Sequence, residues 1–249
     1  MTSLRAALAL LAVVLVGCRS DVREVRLDLT QAARLLRAYG SAASARASGP
    51  APPEVARLSP ERLNDLGVML ERRGMLERAQ EHYRLAVEHK PGFARAWVNL
   101  GNVAREQGRA EEALAHYRRA IREDPELFEA INNFADLCAD TGRCVEQALA
   151  LLTAALEKHP AEESAGRDTL GRLLLRSGRP AEAAQAFRAA LGRGDPRERA
   201  FMAEVLQHLA QAYRALGDQD AARSAELRAA ALEQSVKAHR PAPAPAPSP

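Results

Sequence analysis

The sequence has few cysteines and no apolar run long enough to cross a bilayer. Three cysteines occur among 249 residues, and the chain shows no convergent set of cysteine and histidine such as zinc sites use. The longest apolar run, residues 6–16, is shorter than the roughly 20 residues that a transmembrane helix needs. These absences argue against a zinc site and against a membrane-spanning helix.

The motifs of common enzyme classes are also missing. The chain has no G-x-S-x-G, no H-E-x-x-H, no phosphate-binding glycine loop and no dinucleotide fingerprint. We therefore expect no catalytic site, no metal and no cofactor. His82 and His116 occupy equivalent places in neighbouring repeats, which predicts a repeated solvent-facing position. A cell-wall enzyme with an unrecognised site is the alternative from another class.

Charge of one sign is not concentrated in the chain. There are 35 basic and 32 acidic residues, for a formal charge of +3. Lysine occurs only at Lys90, Lys158 and Lys237, so arginine supplies nearly all the positive charge. Nucleic-acid binding needs concentrated basic side chains, and residues 60–249 have none. We expect no nucleic-acid partner.

Small residues and prolines, by contrast, recur with a period near 34 residues. Each unit of the repeat has a small residue and, seven residues later, a turn glycine. Four of the units end in a proline. The small residues are Gly67, Gly101, Ala135, Gly171 and Ala210, the turn glycines are Gly74, Gly108, Gly142, Gly178 and Gly217, and the prolines are Pro91, Pro125, Pro160 and Pro196. Apolar residues three or four positions apart lie between them, which predicts two helices in each unit.

The small residues predict close contact between the two helices of a unit. Two helices approach closely only where no bulky side chain intervenes, and a large side chain opposite fills the space beside them. The large residues are Tyr83, Tyr117, Leu152 and Phe187. Because one helix pair cannot bury its apolar face alone, the sequence predicts an all-α solenoid of about five helix-turn-helix units over residues 60–236.

The second unit resembles the tetratricopeptide repeat. It begins at Ala94, contains Trp97, Gly101 and Tyr117, and ends at Pro125. The resemblance implies a right-handed superhelix whose first helices line a concave peptide-binding groove.

Later units depart from that pattern. Unit three has one extra residue beside Cys144, unit four has Arg167 in place of an apolar residue, and unit five has Glu226 in place of an aromatic one. Terminal repeats are often atypical because they cap the stack. We interpret the last two units as structure and cap, and the first three as the working part.

The five asparagines of the chain all lie on first helices of units one to three. They are Asn64, Asn99, Asn102, Asn132 and Asn133. Asparagine is a poor residue inside a helix because its amide competes for backbone hydrogen bonds. In the groove that the resemblance implies, an amide can donate to and accept from a peptide backbone. The alternative is that the asparagines bond neighbouring helices.

The resemblance also directs charged residues of both signs toward that groove. They are Arg95, Asp136, Asp168 and Arg172. The family's clamp for a peptide carboxylate needs basic residues that are missing from the matching positions here. A chaperone tail is therefore not the expected ligand.

The N-terminus has the features of a bacterial lipoprotein. Arg5 precedes the apolar run 6–16, and Gly17 and Cys18 follow it, as in a secretory signal. The sequence from Leu15 to Cys18 resembles the lipobox, which implies that residues 1–17 are removed and that Cys18 is lipidated. An ordinary signal with a chance cysteine, or a cytoplasmic repeat protein with a misleading N-terminus, is the alternative.

The resemblance to a lipoprotein implies a location and an arrangement of the chain. Two lipid chains hold a protein on a bilayer. Arg19 and Ser20, and not an aspartate, come directly after Cys18, which favours the periplasmic face of the outer membrane over the inner membrane. Residues 18–59 are expected to form an amphipathic helix (21–40) and an Ala/Ser/Pro linker, and residues 237–249 an extended Pro/Ala tail.

Two cysteines remain if Cys18 is acylated. Cys138 and Cys144 lie on either side of the predicted turn in unit three, and an even number of cysteines in an oxidising compartment is typical of disulfides. They are candidates for a disulfide, and two reduced thiols are the alternative.

These features together predict a lipid-anchored periplasmic adaptor. Its expected partners are envelope proteins or peptide segments, and it would meet the membrane through the lipid anchor only. The sharper alternative within this class is a pilotin-like assembly factor for a pilus or secretion secretin, or for a polysaccharide-export system.

Overall fold

The structure is a computed structural model that describes residues 57–158, 163–193 and 198–238. The expected signal peptide, Cys18, the helix and linker that follow it, and the tail from residue 239 onward lie outside these ranges. Within them the chain forms ten α-helices and no strand. The helices are α1 Pro60–Glu71, α2 Leu76–His89, α3 Ala94–Glu106, α4 Ala110–Glu123, α5 Phe128–Thr141, α6 Val145–Lys158, α7 Glu163–Arg176, α8 Pro180–Arg193, α9 Arg199–Ala215 and α10 Gln219–Ala238.

The helices pair along the chain into five helix-turn-helix units. Each first helix (α1, α3, α5, α7, α9) packs on the second helix of its own unit, and each second helix packs on the first helix of the next unit. Consecutive first helices also contact one another through units two to five. The predicted all-α repeat solenoid is confirmed.

The contacts inside the units match the predicted packing of a small residue against a large one. Tyr83, Tyr117 and Phe187 are fully buried. A Cβ atom added at the facing glycine would overlap the ring of the large residue in three units: Gly67 against Tyr83, Gly101 against Tyr117 and Gly171 against Phe187. In unit three Ala135 lies where units one, two and four have glycine, and a buried leucine, Leu152, takes the place of the ring.

Four of the five turns close in the same way. In the first, the N–H of Gly74 donates to the carbonyl of Glu71 (2.8 Å) and the N–H of Met75 donates to that of Leu70 (3.0 Å). The same two bonds close the turns at Gly108, Gly178 and Gly217. Each turn glycine has a φ between 69° and 80°, a left-handed conformation that glycine adopts without a side-chain clash.

The third turn closes differently. Two residues, Arg143 and Cys144, separate its glycine from the next helix where the other turns have one, and Cys144 joins Gly142 in the left-handed region with a φ of 48°. Within the part of the chain that the structure describes, the two backbone hydrogen bonds that close the other turns are not formed in this one. Cys138 and Cys144 are instead joined by a disulfide, with their Cα atoms 5.6 Å apart.

One expectation from the sequence is wrong. His82 does not face solvent, because its side chain is fully buried and its Nδ1 lies 2.8 Å from the carbonyl oxygen of Arg78, one turn earlier on α2. The equivalent His116 is half-buried and stacks on Trp97, with ring centroids 5.6 Å apart. The repeated position therefore lies between helices, where an imidazole offers both flat faces for packing and nitrogens for hydrogen bonds.

The last unit is longer than the others. Helices α9 and α10 have 17 and 20 residues, and α10 extends through Lys237 and Ala238, which the sequence assigned to the tail. Arg199 in the added turn of α9 donates to Ser235 Oγ at 2.8 Å. Glu226, at the position of the missing aromatic, forms an ion pair with Arg214. A polar contact there is consistent with a terminal unit.

Candidate protein-interaction face

Polar side chains link the consecutive first helices of the array. We call the surface that they form the first-helix face. It comprises Asn64 on α1, Asn99, Asn102 and Arg105 on α3, Asn133, Asp136 and Asp140 on α5, Asp168 and Arg172 on α7, and His208 on α9. Every one of these residues bonds a residue about one repeat away.

Two amide pairs connect units one to three. Asn99 Nδ2 donates to Asn64 Oδ1 at 2.8 Å, and Asn133 Nδ2 donates to Asn102 Oδ1 at 3.1 Å. The hydroxyl of the buried Tyr117 donates to the same oxygen of Asn102 at 2.9 Å. Four of the five asparagines thus bond neighbouring helices, which was the alternative to a ligand-binding role.

The amide pairs retain some capacity for a ligand. Each pair uses one oxygen and one nitrogen, and the carbonyl oxygens of Asn99 and Asn133 accept no hydrogen bond from any residue that the structure describes. Both side chains are half-buried, so they are reachable from solvent. The fifth asparagine differs, because Asn132 Oδ1 is buried and has no hydrogen-bond partner among the described residues.

Two arginines and two aspartates form a closed network across units two, three and four. Arg105 Nη1 lies 2.6 Å from Asp136 Oδ2, and Arg105 Nη2 lies 2.7 Å from Asp140 Oδ2. Arg172 pairs with the other oxygen of each aspartate. Both carboxylates of α5 are therefore shared between a guanidinium on α3 and one on α7. We call these four residues the ion network.

The charges of the ion network stabilise one another. Burial lowers the pKa of the guanidinium groups of Arg105 and Arg172, but the adjacent carboxylates of Asp136 and Asp140 outweigh it, so both pKa values are raised. The formal charges of the two guanidinium groups and the two carboxylates sum to zero. Arg172 and Asp136, which the resemblance directed to the groove, are already paired and present no free charge to a ligand.

The remaining two charged residues of the expected groove differ in their surroundings. Asp168 is buried, and its Oδ1 lies 2.8 Å from Nδ1 of His208 on α9. Arg95 is exposed and makes no ion pair with any residue of the described ranges. Arg95 is thus the expected groove residue whose charge is available to an acidic partner.

Several residues of the face were not identified from the sequence: Arg105, Asp140 and His208. The sequence contains a signal for Arg105 and Asp140, because opposite charges on first helices lie about one repeat apart. The separation is 35 residues for Arg105 and Asp140 and 36 residues for Asp136 and Arg172. Such a spacing predicts that the paired charges lie side by side on adjacent first helices.

Other kinds of site receive no support from the part of the chain that the structure describes. It contains no group of three or more histidine, cysteine or acidic side chains placed to hold a metal ion. None of its helices combines the length and the apolar character that crossing a bilayer requires.

Five helical hairpins, each closed around a small residue, stacked in series and joined across their first helices, define a class of protein, the helical-repeat interaction scaffolds. The particular family follows from the sequence match. The tetratricopeptide repeat model matches residues 64–127 and 169–243, more than half of the chain. The chain belongs to the tetratricopeptide repeat family, and its fold supports a role in protein–protein interaction.

Solved structures agree with this assignment of the fold. MamA of Desulfovibrio magneticus RS-1, from its residue 41 to its end, is 19% identical with a TM-score of 0.61, covering 71% of this chain and 96% of that one. YrrB, described as a TPR protein with an unusual peptide-binding site, is 22% identical with a TM-score of 0.56, covering 69% and 85%. TTC0263 of Thermus thermophilus, described as a thermophilic TPR protein, is 21% identical with a TM-score of 0.55, covering 72% and 93%. No curated protein matches the sequence.

Proposed function

We propose that this protein is a lipid-anchored adaptor on the periplasmic face of a bacterial outer membrane. It binds an extended segment of an envelope partner on the first-helix face and acts by binding rather than by catalysis. The observation that supports this most directly is a continuous row of polar side chains along the first helices, in a family whose members bind peptides and proteins on such surfaces.

Support for the anchor comes from the order of residues at the N-terminus. A basic residue, an apolar run of signal-peptide length and a Leu-Val-Gly-Cys sequence occur in that order. A diacylated Cys18 would hold the protein on a bilayer. The linker 41–59, at about 3.1 Å per residue when extended, reaches roughly 60 Å, so the repeats can stand clear of the lipid surface.

Support for the ligand class comes from what the first-helix face leaves available. The oxygens of Asn99 and Asn133 can accept from the N–H groups of an extended peptide, as amides do in backbone recognition. Arg95, which has no ion-pair partner among the described residues, adds one positive charge on the same helix as Asn99. The ion network next to them is neutral as a whole. The preferred segment is thus extended and polar, with one acidic residue placed to reach Arg95.

The anchor is tested by labelling growing cells with a radioactive or clickable fatty acid. The wild-type protein should take up the label and fractionate with the outer membrane, and Cys18→Ala should lose the label. Label that persists in Cys18→Ala would refute the anchor. Label in the inner-membrane fraction would show that the protein is anchored in the inner membrane and not in the outer one.

The binding face is tested with Asn99→Ala/Asn133→Ala in the full-length protein. Removing Asn133 leaves Asn102 still bonded to Tyr117, so the variant should fold. Arg122→Ala, an exposed change on the second helix α4, is the matched control. Crosslinking in cells should capture a partner with wild type and control, and at least tenfold less with the double variant. Equal capture by the wild type, the control and the double variant would show that the partner does not bind on the first-helix face.

A further inference from the structure

We infer that the Cys138–Cys144 disulfide makes the first-helix face sensitive to redox conditions, so that partner binding needs the oxidised protein. The inference rests on the proposed function, because it concerns the regulation of the same face. It starts from the one turn of the array that differs from the others.

The disulfide takes the place of backbone hydrogen bonds. The turns of units one, two, four and five each close through two N–H···O=C bonds behind the turn glycine. In the third turn the described backbone forms neither bond, and the N–H of Arg143 reaches only the hydroxyl of Thr141, at 3.4 Å. The covalent bond therefore closes this turn, beside the apolar packing of α5 on α6.

The inserted residue explains why this turn alone depends on cysteine. Units two and four have the sequence Gly108-Arg109 and Gly178-Arg179 directly before the second helix. Unit three has Gly142-Arg143 in the same place and then Cys144 before α6 begins. The insertion prevents the standard closure and at the same time supplies the thiol that replaces it.

The disulfide is adjacent to the ion network. Cys138 is fully buried on α5 and lies between Asp136 and Asp140, the two residues that join α3 to α7. All three belong to the last two turns of α5, and helix ends without closing bonds fray first. When the disulfide is reduced, fraying of α5 displaces Asp140 first and opens the network between units two and four.

The chemistry of the change is a thiol–disulfide exchange with a dithiol. A thiolate of the reductant attacks one sulfur, the second thiol resolves the mixed disulfide, and the reductant leaves as its own disulfide. Two electrons and two protons pass to Cys138 and Cys144, which become thiols. A dithiol reductant of the thioredoxin class or dithiothreitol supplies them, and an oxidising compartment restores the bond.

The inference predicts faster amide exchange at the end of α5 in the reduced protein. We would measure hydrogen exchange of full-length protein with and without dithiothreitol, and follow peptides that cover residues 136–146. Exchange should accelerate about tenfold or more on reduction, while peptides that cover the turn at Gly74, which lies outside the ion network, should be unchanged. Equal exchange of the third turn in both redox states would overturn the inference.

A pair of variants separates loss of the bond from loss of the side chains. Cys138→Ala/Cys144→Ala should exchange like the reduced protein under all conditions. Cys138→Ala combined with deletion of residue 144 should restore the Gly-Arg turn of units two and four. That variant should therefore be protected and unaffected by dithiothreitol. If it exchanges as fast as the double alanine variant, hydrogen bonds do not substitute for the disulfide and the argument fails.

Partner capture then tests the regulation itself. Capture should fall at least tenfold when wild type is reduced, and should be unaffected by dithiothreitol in the deletion variant. If exchange responds to reduction but capture does not, the regulation is refuted while the proposed function stands. If the oxidised protein captures no more than Asn99→Ala/Asn133→Ala does, the proposed function has failed.

Discussion

Replacing Gly101 by alanine should destabilise the protein, although alanine is the better helix former. The replacement removes a helix-interior glycine and thereby gains about 1 kcal/mol in helix propensity. Opposing this, the new Cβ would overlap the ring of Tyr117, which is fully buried. The ring cannot easily turn away, since its hydroxyl bonds Asn102. Overpacking of this kind costs about 1–3 kcal/mol.

The two effects leave a net destabilisation of up to about 2 kcal/mol. For a domain of this size that corresponds to a fall in Tm of up to about 8 °C, measured by circular dichroism at 222 nm. Gly192→Ala is the matched control, because Gly192 is an exposed residue of α8 with no atom within 4 Å of an added Cβ. It should stabilise the protein by up to about 1 kcal/mol.

A second variant isolates the contact. Unit three combines Ala135 with Leu152 where units one, two and four combine glycine with a ring, and both residues are fully buried. In a Tyr117→Leu background, Gly101→Ala should therefore be neutral or stabilising, so that its effect changes sign. Stabilisation by Gly101→Ala in the wild-type background would refute the reasoning, because the glycine would then not be required by the ring.

Three further predictions concern the first-helix face and a buried histidine. Asp136→Ala should lower the free energy of unfolding in urea by about 1–2 kcal/mol, because it leaves two guanidinium groups short of a partner in a partly exposed site, and the loss should shrink in 1 M salt. Asn102→Ala should cost about 1–3 kcal/mol, because the buried hydroxyl of Tyr117 loses its acceptor, whereas Asn133→Ala should cost less. Burial lowers the pKa of His82 below its ordinary value of 6.5, so the unfolded chain binds the proton first and the free energy of unfolding should fall as pH drops below 6.5. His82→Gln should flatten that fall, and an unchanged pH profile in the variant would contradict it.

The fold was predictable from the sequence because its determinants are local and repeated. A glycine that must adopt a left-handed conformation and a small residue on the first helix recur at the same place in each unit, and in three units the small residue faces a ring. The helix pairs follow from them. The insertion at Cys144 was also visible, since it displaces the period by one residue. Its effect on the backbone hydrogen bonds of the turn was not, because those bonds depend on the path of the chain between two helices.

The site was less predictable because the polar groups of its side chains can form their hydrogen bonds in two ways. An amide on a first helix can bond a ligand or the next first helix, and the composition is the same in both cases. The distance between helices decides, and here it is short enough for Asn64 and Asn99 to meet. The buried position of His82 was missed for a related reason, since its neighbours come from packing and not from the repeat pattern.

The ion network makes the order of the repeats matter. Its two positive members lie on α3 and α7 and its two negative members on α5, so units two, three and four alternate in sign along this stretch. Exchanging unit three with unit four would put like charges on adjacent helices, although each unit taken alone has the same fold. Although the hairpins share one fold, these charges fix the position of each of the three central units in the array. Duplicating or shuffling units two to four would disrupt these ion pairs even where the helices still stack.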